Sequence, residues 1–265
     1  MRTSAEALAT AELYTETAPD KFRLDMPVKL IVVGCSPAWP NPGGAQSGYL
    51  VEGDGRLLLD CGPGVLARLR ATDGWPRVDA VAITHFHLDH WGDLVPWIFG
   101  AAFGPGREVP KPELWLPPGG NERLRAYGGQ MAFADRIDGV FDVSEYEEGK
   151  PFRAAGFDVV ALRLDHYSEL TFGLRVTNHS STLAYSGDTG PSPQLAELAR
   201  DADVFLCEAT LREPEPAERG HLTEDEAVEA FRASGARRLV VIHRPDELPL
   251  DPAIERAADG DILTF

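Results

Sequence analysis

Short runs of apolar residues, each closed by a turn or a polar residue, divide most of the chain into predicted strands. Unbroken runs are typical of strands buried on both faces, and we expect such strands at 28–33, 78–83, 204–210 and 239–242. The segments 49–52 and 56–60 flank the turn Gly53-Asp54-Gly55 and predict a hairpin. Further strands are expected at 113–116 and, as a hairpin or strand pair, within 152–164.

Helical patterns alternate with these strands. We predict helices at 63–71, 94–103, 121–137 and 224–234, and Thr223 is available as the N-cap of the last one. Residues 3–17 are rich in Ala and Glu and predict a short helix, with a loosely docked tail as the alternative. Strands that alternate with helices indicate a mixed α/β fold.

The length and composition of the chain favour a single domain with one hydrophobic core. With 265 residues and 43% apolar content, the chain is long enough for a single domain, which we place at 26–265 after an N-terminal extension at 1–25. A lid, a homodimer contact and no role at all are each compatible with that extension.

The net charge of the chain indicates which class of substrate to expect, and its few cysteines indicate which cell compartment. A net charge of −17 disfavours long nucleic acid, which proteins bind through cationic surfaces, and favours a small-molecule substrate. Three widely spaced cysteines imply no disulfide framework, and neither a signal peptide nor a membrane span is visible. We therefore expect a cytoplasmic protein that does not associate with membranes.

The candidate chemistry centres on residues 83–93, ITHFHLDHWGD, which follow a predicted buried strand. His85, His87 and Asp89 can point the same way on an extended segment, and a turn at Gly92 can bring His90 beside them. An accidental cluster of surface histidines is the alternative. Because three imidazoles and a carboxylate fall within six residues, a metal-binding loop is the preferred interpretation.

More chemistry-bearing residues stand at the ends of later strands. His166 and His243 each follow an apolar run, Asp188 lies in the Gly-flanked turn of LAYSGDTG, Glu208 ends VFLCE, and His221 precedes a predicted helix. Taken singly, each has an ordinary explanation as a polar residue at a rim or in a turn. Only their combination suggests a shared site.

The HxHxDH pattern, with these later motifs, resembles the metallo-β-lactamase superfamily over nearly the whole chain. The resemblance implies a four-layer αββα sandwich, two mixed sheets face to face with helices outside. It also implies that two divalent metal ions are bound, one by His85, His87 and His166, the other by Asp89, His90 and His243, with Asp188 as the bridge. Zinc is expected, with manganese and iron as alternatives.

Within that superfamily the sequence is most similar to a ribonuclease Z-like branch that includes actinobacterial cyclic-nucleotide phosphodiesterases. The similarity rests on GCS…SGYLV, TFGLRV, LAYSGDTG, FLCEA and HL…EA. It implies that Asp60 supports the metal loop, that Asp89 orients the attacking hydroxide, and that Glu208 and His221 protonate the leaving oxygen. Cys207 and Leu222 replace the His and Ser common in ribonuclease Z.

The function expected from this resemblance is a dinuclear metal-dependent hydrolase. A phosphodiesterase acting on a small substrate such as a cyclic nucleotide, through attack of metal-bound hydroxide, is the leading hypothesis. Hydrolysis of a lactone, thioester or other activated carbonyl is the alternative, followed by a tRNA 3′-processing endonuclease or a non-catalytic scaffold. The tRNA hypothesis is weaker because only residues 167–187 separate His166 from Asp188, where ribonuclease Z carries a long insertion.

Overall fold

The computed structural model describes residues 27–179 and 181–265. The helix predicted at 3–17 lies outside the described residues. The division into an extension at 1–25 and a domain at 26–265 stays a prediction.

One sheet is built mainly from the first half of the chain. Its seven strands, as far as the described residues go, are arranged in the order β14-β1-β2-β3-β4-β5-β6. They are β1 (Lys29–Gly34), β2 (Gly48–Glu52), β3 (Arg56–Leu59), β4 (Ala80–Ala82), β5 (Glu113–Leu116), β6 (Asp142–Glu145) and β14 (Ile262–Thr264). Pairing is antiparallel from β14 to β3 and parallel from β3 to β6, so the sheet is mixed.

The second sheet comes from the second half and has the order β13-β12-β11-β10-β9-β8-β7. Its strands are β7 (Phe152–Ala154), β8 (Phe157–His166), β9 (Glu169–Asn178), β10 (Ser181–Tyr185), β11 (Val204–Glu208), β12 (Leu239–Ile242) and β13 (Glu255–Arg256). The strands are antiparallel from β7 to β10 and parallel from β10 to β13. The strand β9 was not predicted separately from its neighbours.

Helices connect these strands. They are α1 (Val65–Asp73), α2 (Leu88–Trp91), α3 (Leu94–Phe103), α4 (Gly120–Gln130), α5 (Ile137–Val140), α6 (Pro193–Leu198) and α7 (Glu224–Ser234), with 3-10 turns at Pro105–Glu108 and Ala134–Arg136. The helix α7 has the predicted limits, and Thr223 and Glu226 form a capping box at its start. No helix in the described part of the chain is both long and apolar enough to cross a membrane.

The prediction of one continuous helix over 121–137 is wrong. Ala132 has a left-handed φ of 59°, and the chain turns back so closely that a Cβ on Gly128 would lie 2.9 Å from the backbone of Ala134. A left-handed residue ends a right-handed helix. The segment is therefore divided between α4, a 3-10 turn and α5.

Alternate residues of each central strand face different apolar clusters. Leu57 and Leu59 of β3 pack between the two sheets, whereas Leu58 packs beneath the helices that cover the first sheet. On the second sheet, Leu206 faces the inter-sheet core and Phe205 faces α6 and α7. Both faces are buried, which explains the unbroken apolar runs. The predicted four-layer αββα sandwich is confirmed.

The sheet topology brings several strand ends to one edge. The strands β10, β11 and β12 are parallel, and β8 runs the same way as β10 because both are antiparallel to β9. In the first sheet, β3 and β4 are parallel neighbours. The carboxyl ends of such strands meet at the same edge of a sheet, which is where open α/β folds place their sites.

Candidate metal centre

The predicted metal loop combines an extended segment with one helical turn. His87 has an extended backbone, with ψ at 141°, and α2 begins at the next residue. Asp89 and His90 therefore lie on a helix, and Gly92 has right-handed helical dihedrals. The expected turn is present, since Gly92 and Asp93 form a turn at the end of α2, but Asp89 lies on that helix and not on the extended segment as predicted. The helical turn brings His90 beside His85. The two imidazole rings are 4.1 Å apart between centroids.

One group of potential ligands contains His85, His87, His166 and Asp188, whose donor atoms lie within 4.8 Å of one another. Nε2 of His166 is 2.8 Å from Nδ1 of His87 and 3.9 Å from an Asp188 oxygen. Nε2 of His85 is 4.0 Å from the same carboxylate. Three imidazoles and one carboxylate at this spacing fit a single divalent ion.

A second group contains Asp89, His90, His243 and again Asp188. Nε2 of His90 is 3.2 Å from Asp188 Oδ1, and Nε2 of His243 is 3.2 Å from Asp89 Oδ2. The two groups share Asp188, whose two oxygens approach imidazoles of both. A carboxylate in this place can bind two cations at once and reduce their mutual repulsion.

The outer nitrogens of four imidazoles have hydrogen-bond partners that fix how the rings are turned. Nδ1 of His85 contacts Thr84 Oγ1 at 3.0 Å, and Nδ1 of His243 contacts Thr210 Oγ1 at 2.9 Å. Nδ1 of His166 donates to the carbonyl of Gly220 at 2.6 Å, and Nδ1 of His90 donates to Asp60 at 2.7 Å. Outer partners of this kind orient metal-binding histidines. Each of these rings therefore presents Nε2 to the centre.

Asp60 accepts hydrogen bonds from residues in both halves of the chain and lies next to the metal ligand candidate His90. It accepts hydrogen bonds from the Thr84 amide at 2.8 Å, from His90 Nδ1, and from the Tyr185 hydroxyl at 2.6 Å. The carboxylate is fully buried, and Asp60 adopts a left-handed φ of 58° that few non-glycine residues accept. The expectation that Asp60 supports the metal loop by hydrogen bonding is confirmed.

The centre contains buried polar atoms that have no hydrogen-bond partner among the described residues. Within the described residues, Nε2 of His85, Nε2 of His90 and Oδ1 of Asp188 are buried and accept or donate no hydrogen bond. Unpaired buried polar atoms are costly, and native proteins rarely keep them without a ligand. The two imidazole nitrogens face the Asp188 carboxylate, to which the third atom belongs. A divalent cation would satisfy them together, so the residues present fit a metal.

The electrostatics of the site agree with this fit. Burial lowers the pKa of His85 well below its usual value, which leaves its nitrogen lone pair available. Burial raises the pKa of Asp188, but the imidazoles of His243 and His90 outweigh burial and hold that pKa well below its usual range. The pKa of Asp89 is lowered in the same way, chiefly by His90. The site thus offers ionised carboxylates and a neutral imidazole at His85, whereas the carboxylates of Asp188, Asp89 and Asp60 outweigh burial and raise the pKa of His90 well above its usual value. His90 would therefore release a proton on binding a divalent ion.

Glu208 and His221 lie beside these ligands. Nδ1 of His221 donates to Glu208 Oε1 at 2.8 Å, and the His221 ring is 4.8 Å from that of His166 and 5.7 Å from that of His243. Glu208 is held in turn by the Thr189 amide at 2.8 Å and the Thr210 hydroxyl at 2.7 Å. Burial lowers the pKa of His221, but the Glu208 carboxylate more than offsets this and raises it to about 9.

The structure brings every predicted site residue to this one edge. These residues are His85, His87, Asp89, His90, His166, Asp188, Glu208, His221 and His243. The remaining histidine of the sequence, His179, lies elsewhere, 3.2 Å from Asp54. Their roles as metal ligands or general acid stay predictions.

Three supporting residues were not predicted. Thr84 immediately precedes His85, and Thr210 ends FLCEAT, so their places beside the motifs gave a weak signal. Tyr185 gave no such signal, because it hydrogen-bonds to Asp60 from 125 residues away along the chain.

The prediction of no disulfide is confirmed, since Cys35, Cys61 and Cys207 are all free and buried.

Comparison with known proteins agrees with the fold and the site. The family model described as the beta-lactamase superfamily domain matches residues 55–244. An uncharacterized protein of Mycobacterium tuberculosis is 36% identical over 239 residues, covering 87% of this chain and 85% of that protein. The probable metallo-hydrolase YhfI of Bacillus subtilis is 28% identical over 82% of this chain and 87% of its own length. A ribonuclease Z of Myxococcus xanthus is 26% identical, covering 85% of this chain and 90% of that enzyme.

Solved structures give the same result for the fold. The crystal structure of YhfI, described as a metallo-beta-lactamase fold protein, has a TM-score of 0.78 at 23% identity and covers 91% of this chain and 100% of its own. A diphosphatase from the PhnP family has a TM-score of 0.70 at 21% identity, covering 91% of this chain and 98% of that structure. The family model, the metallo-β-lactamase fold and the paired His/Asp clusters together show that the chain belongs to the beta-lactamase superfamily, a family of metal-dependent hydrolases.

Proposed function

We propose that this protein is a dinuclear metal-dependent phosphodiesterase that hydrolyses a small phosphodiester such as a cyclic nucleotide. The names of two similar proteins support cleavage of phosphate bonds, since one is a ribonuclease Z and the other a diphosphatase. His85, His87 and His166 would hold one ion, Asp89, His90 and His243 the other, and Asp188 both. Zinc is the proposed metal because the ligands are imidazoles and carboxylates, and manganese or iron would accept the same set.

When bound, a pair of divalent ions supplies an activated water and stabilises the charge that develops on the phosphoryl oxygens. The chain's own residues do the rest. Asp89, with its low pKa, is an ionised carboxylate that can hold and orient the water at the centre. Six of the seven proposed ligands are buried and His87 is half-buried, and burial strengthens the electrostatic interactions among them.

The observation that carries the proposal is the Glu208–His221 pair beside the candidate metal ligands. Alkoxide leaving groups, such as a ribose oxygen, are poor and need a proton as the ester bond breaks. Glu208 holds Nδ1 of His221 and favours the charged imidazolium, which leaves the proton on Nε2 to be given to the departing oxygen. A positioned acid of this kind is typical of an enzyme for phosphodiesters and adds little to hydrolysis of activated esters.

A small substrate is favoured over RNA by two features. The net charge of −17 opposes the approach of a long polyanion. The chain between His166 and Asp188 forms little more than the strands β9 and β10, so no arm is inserted between these motifs to grip a folded RNA.

The test is hydrolysis by protein loaded with zinc or manganese, with metal content measured in parallel. We expect turnover of 3′,5′- or 2′,3′-cyclic nucleotides, and an about 100-fold or larger loss in His221→Ala, the range typical of a missing general acid. His179→Ala is the matched control because His179 lies outside the site, and it should keep full activity.

Other outcomes would replace the proposal. Turnover of lactones or thioesters alone, without an effect of His221→Ala, would establish the activated-carbonyl hydrolase. Cleavage of a tRNA precursor with no action on cyclic nucleotides would establish the endonuclease. Failure to bind two equivalents of metal would favour a non-catalytic scaffold.

A further inference from the structure

The general acid proposed above sits on a loop with few anchors. Residues 209–223 join β11 to α7, and most side chains from Arg212 to Glu218 are exposed. The Leu211 amide donates to Leu222 at 2.9 Å, and Arg219 pairs with Glu226 at 2.8 Å. These contacts fix the two ends of the loop. The backbone just before His221 needs a further support.

Tyr167 and Glu215 supply that support. The Tyr167 hydroxyl donates to Glu215 Oε1 at 2.5 Å, and the other oxygen of Glu215 accepts the Gly220 amide at 2.9 Å. The carbonyl of Gly220 accepts Nδ1 of His166. One peptide segment is thus connected through Glu215 to Tyr167 and directly to His166, the residue before Tyr167. We call Tyr167, Glu215 and Gly220 the clasp.

Tyr167 is 39% exposed, but one side of its ring packs closely against the backbone at Gly220. The Tyr167 ring is 5.0 Å from the His166 ring and 5.7 Å from the His221 ring, between centroids. A Cβ on Gly220 would lie 2.2 Å from two ring carbons of Tyr167, which is closer than real atoms approach. Glycine is therefore required at 220 as long as Tyr167 keeps its place.

The backbone of Tyr167 indicates that its side chain has a purpose there. His166 and Glu169 pair across β8 and β9, so Tyr167 and Ser168 form a two-residue hairpin turn. Tyr167 adopts a left-handed φ of 47°, a conformation for which such turns normally use Asn, Asp or Gly. A bulky residue in this conformation costs free energy, and such strain concentrates at functional sites.

We infer that Tyr167 and Glu215 are positioning residues, which hold Gly220 so that His221 keeps its place as the general acid beside His166. The inference rests on the proposed function. Neither side chain needs to touch substrate, because both act through the backbone at Gly220. Loss of the clasp should harm reactions that need the acid and spare those that do not.

The central variant is Tyr167→Phe, which removes one hydroxyl and keeps the ring that packs against Gly220. Glu147→Gln is the control, since Glu147 is an exposed acid paired with Lys150 in a different part of the fold. Activity is measured on a cyclic nucleotide, whose leaving group is poor, and on bis(p-nitrophenyl) phosphate, whose leaving group needs no proton.

We expect Tyr167→Phe to lower kcat on the cyclic nucleotide by about tenfold, the loss that corresponds to one hydrogen bond to a charged group. KM, metal content and kcat on the nitrophenyl ester should change by less than about twofold to threefold, within ordinary surface effects. Adding Tyr167→Phe to His221→Ala should cause no further loss, because the two residues would act as a unit. Equal losses on both substrates, or no loss on either, would overturn the inference.

A second measurement separates this inference from the proposed function. Amide hydrogen exchange at Gly220 and His221 should accelerate by about tenfold in Tyr167→Phe, because exchange reports local opening. If exchange is faster in Tyr167→Phe but the wild-type protein hydrolyses neither phosphodiester, the proposed phosphodiesterase function is refuted and the positioning role of the clasp is supported. Unchanged exchange would refute the clasp whatever the activity.

Discussion

Replacement of Asp60 by Asn tests how the metal centre is supported. The carboxylate accepts hydrogen bonds from four buried donors: the Thr84 amide on Oδ1, His90 Nδ1 and the Tyr185 hydroxyl on Oδ2, and the Thr84 hydroxyl, which lies within reach of both oxygens. An amide has one accepting oxygen and an NH2 group in place of the second. If that oxygen stays with Thr84, the NH2 group faces Nδ1 of His90, and two donors oppose each other.

The size of the effect of Asp60→Asn depends on which ring nitrogen of His90 then carries the proton. If its proton stays on Nδ1, a buried donor is left unpaired, which costs about 1–3 kcal/mol. If the proton moves to Nε2, it occupies the atom that lies 3.2 Å from Asp188 Oδ1 and would bind the cation. Losing an outer hydrogen bond of this kind typically weakens metal binding about 10-fold to 100-fold. We expect Asp60→Asn to weaken one of two metal-binding events by that factor.

The assay is calorimetric titration of metal-free protein with zinc, together with urea unfolding of the metal-free form. Asp79→Asn is the matched control, because Asp79 is exposed and accepts the Arg56 amide at 2.8 Å far from the ligands. The control should bind two ions as the wild type does. Two wild-type affinities and unchanged metal-free stability in Asp60→Asn would refute the view that Asp60 orients His90.

Three further outcomes are expected. Activity on cyclic nucleotides should fall as the pH rises through about 9, where His221 loses its proton. Glu208→Gln should move this fall to lower pH, because it removes the negative charge that raises the pKa of His221. A pH–rate profile that is the same in the wild type and in Glu208→Gln would contradict this. Chelation should lower the melting temperature, and free metal at 100 times Kd should restore about 2.7 kcal/mol of stability for each ion bound. A melting temperature independent of metal would rule out binding. Thr223→Ala should cost about 1 kcal/mol in urea unfolding by removing the cap of α7, and a loss below about 0.3 kcal/mol would show that Glu226 caps the helix alone.

The sequence by itself determined the elements and the ligand types. The strands predicted at 204–210 and 239–242 correspond to β11 (Val204–Glu208) and β12, because strands buried on both faces are mostly apolar. The start of α7 followed from the cap at Thr223. The HxHxDH motif identified the metal loop because its four side chains are close in the chain, and the family resemblance supplied the distant ligands.

Only the tertiary structure decided how these residues act on one another. The split of the 121–137 helix depends on a backbone contact between Gly128 and Ala134, and patterns of hydrophobicity do not record such contacts. The hydrogen bond between Tyr185 and Asp60 and the clasp at Tyr167 join segments that are distant in the chain. Local sequence carries the preference of a segment for helix or strand, whereas the partner of a buried polar atom is set by which strand ends the fold brings together.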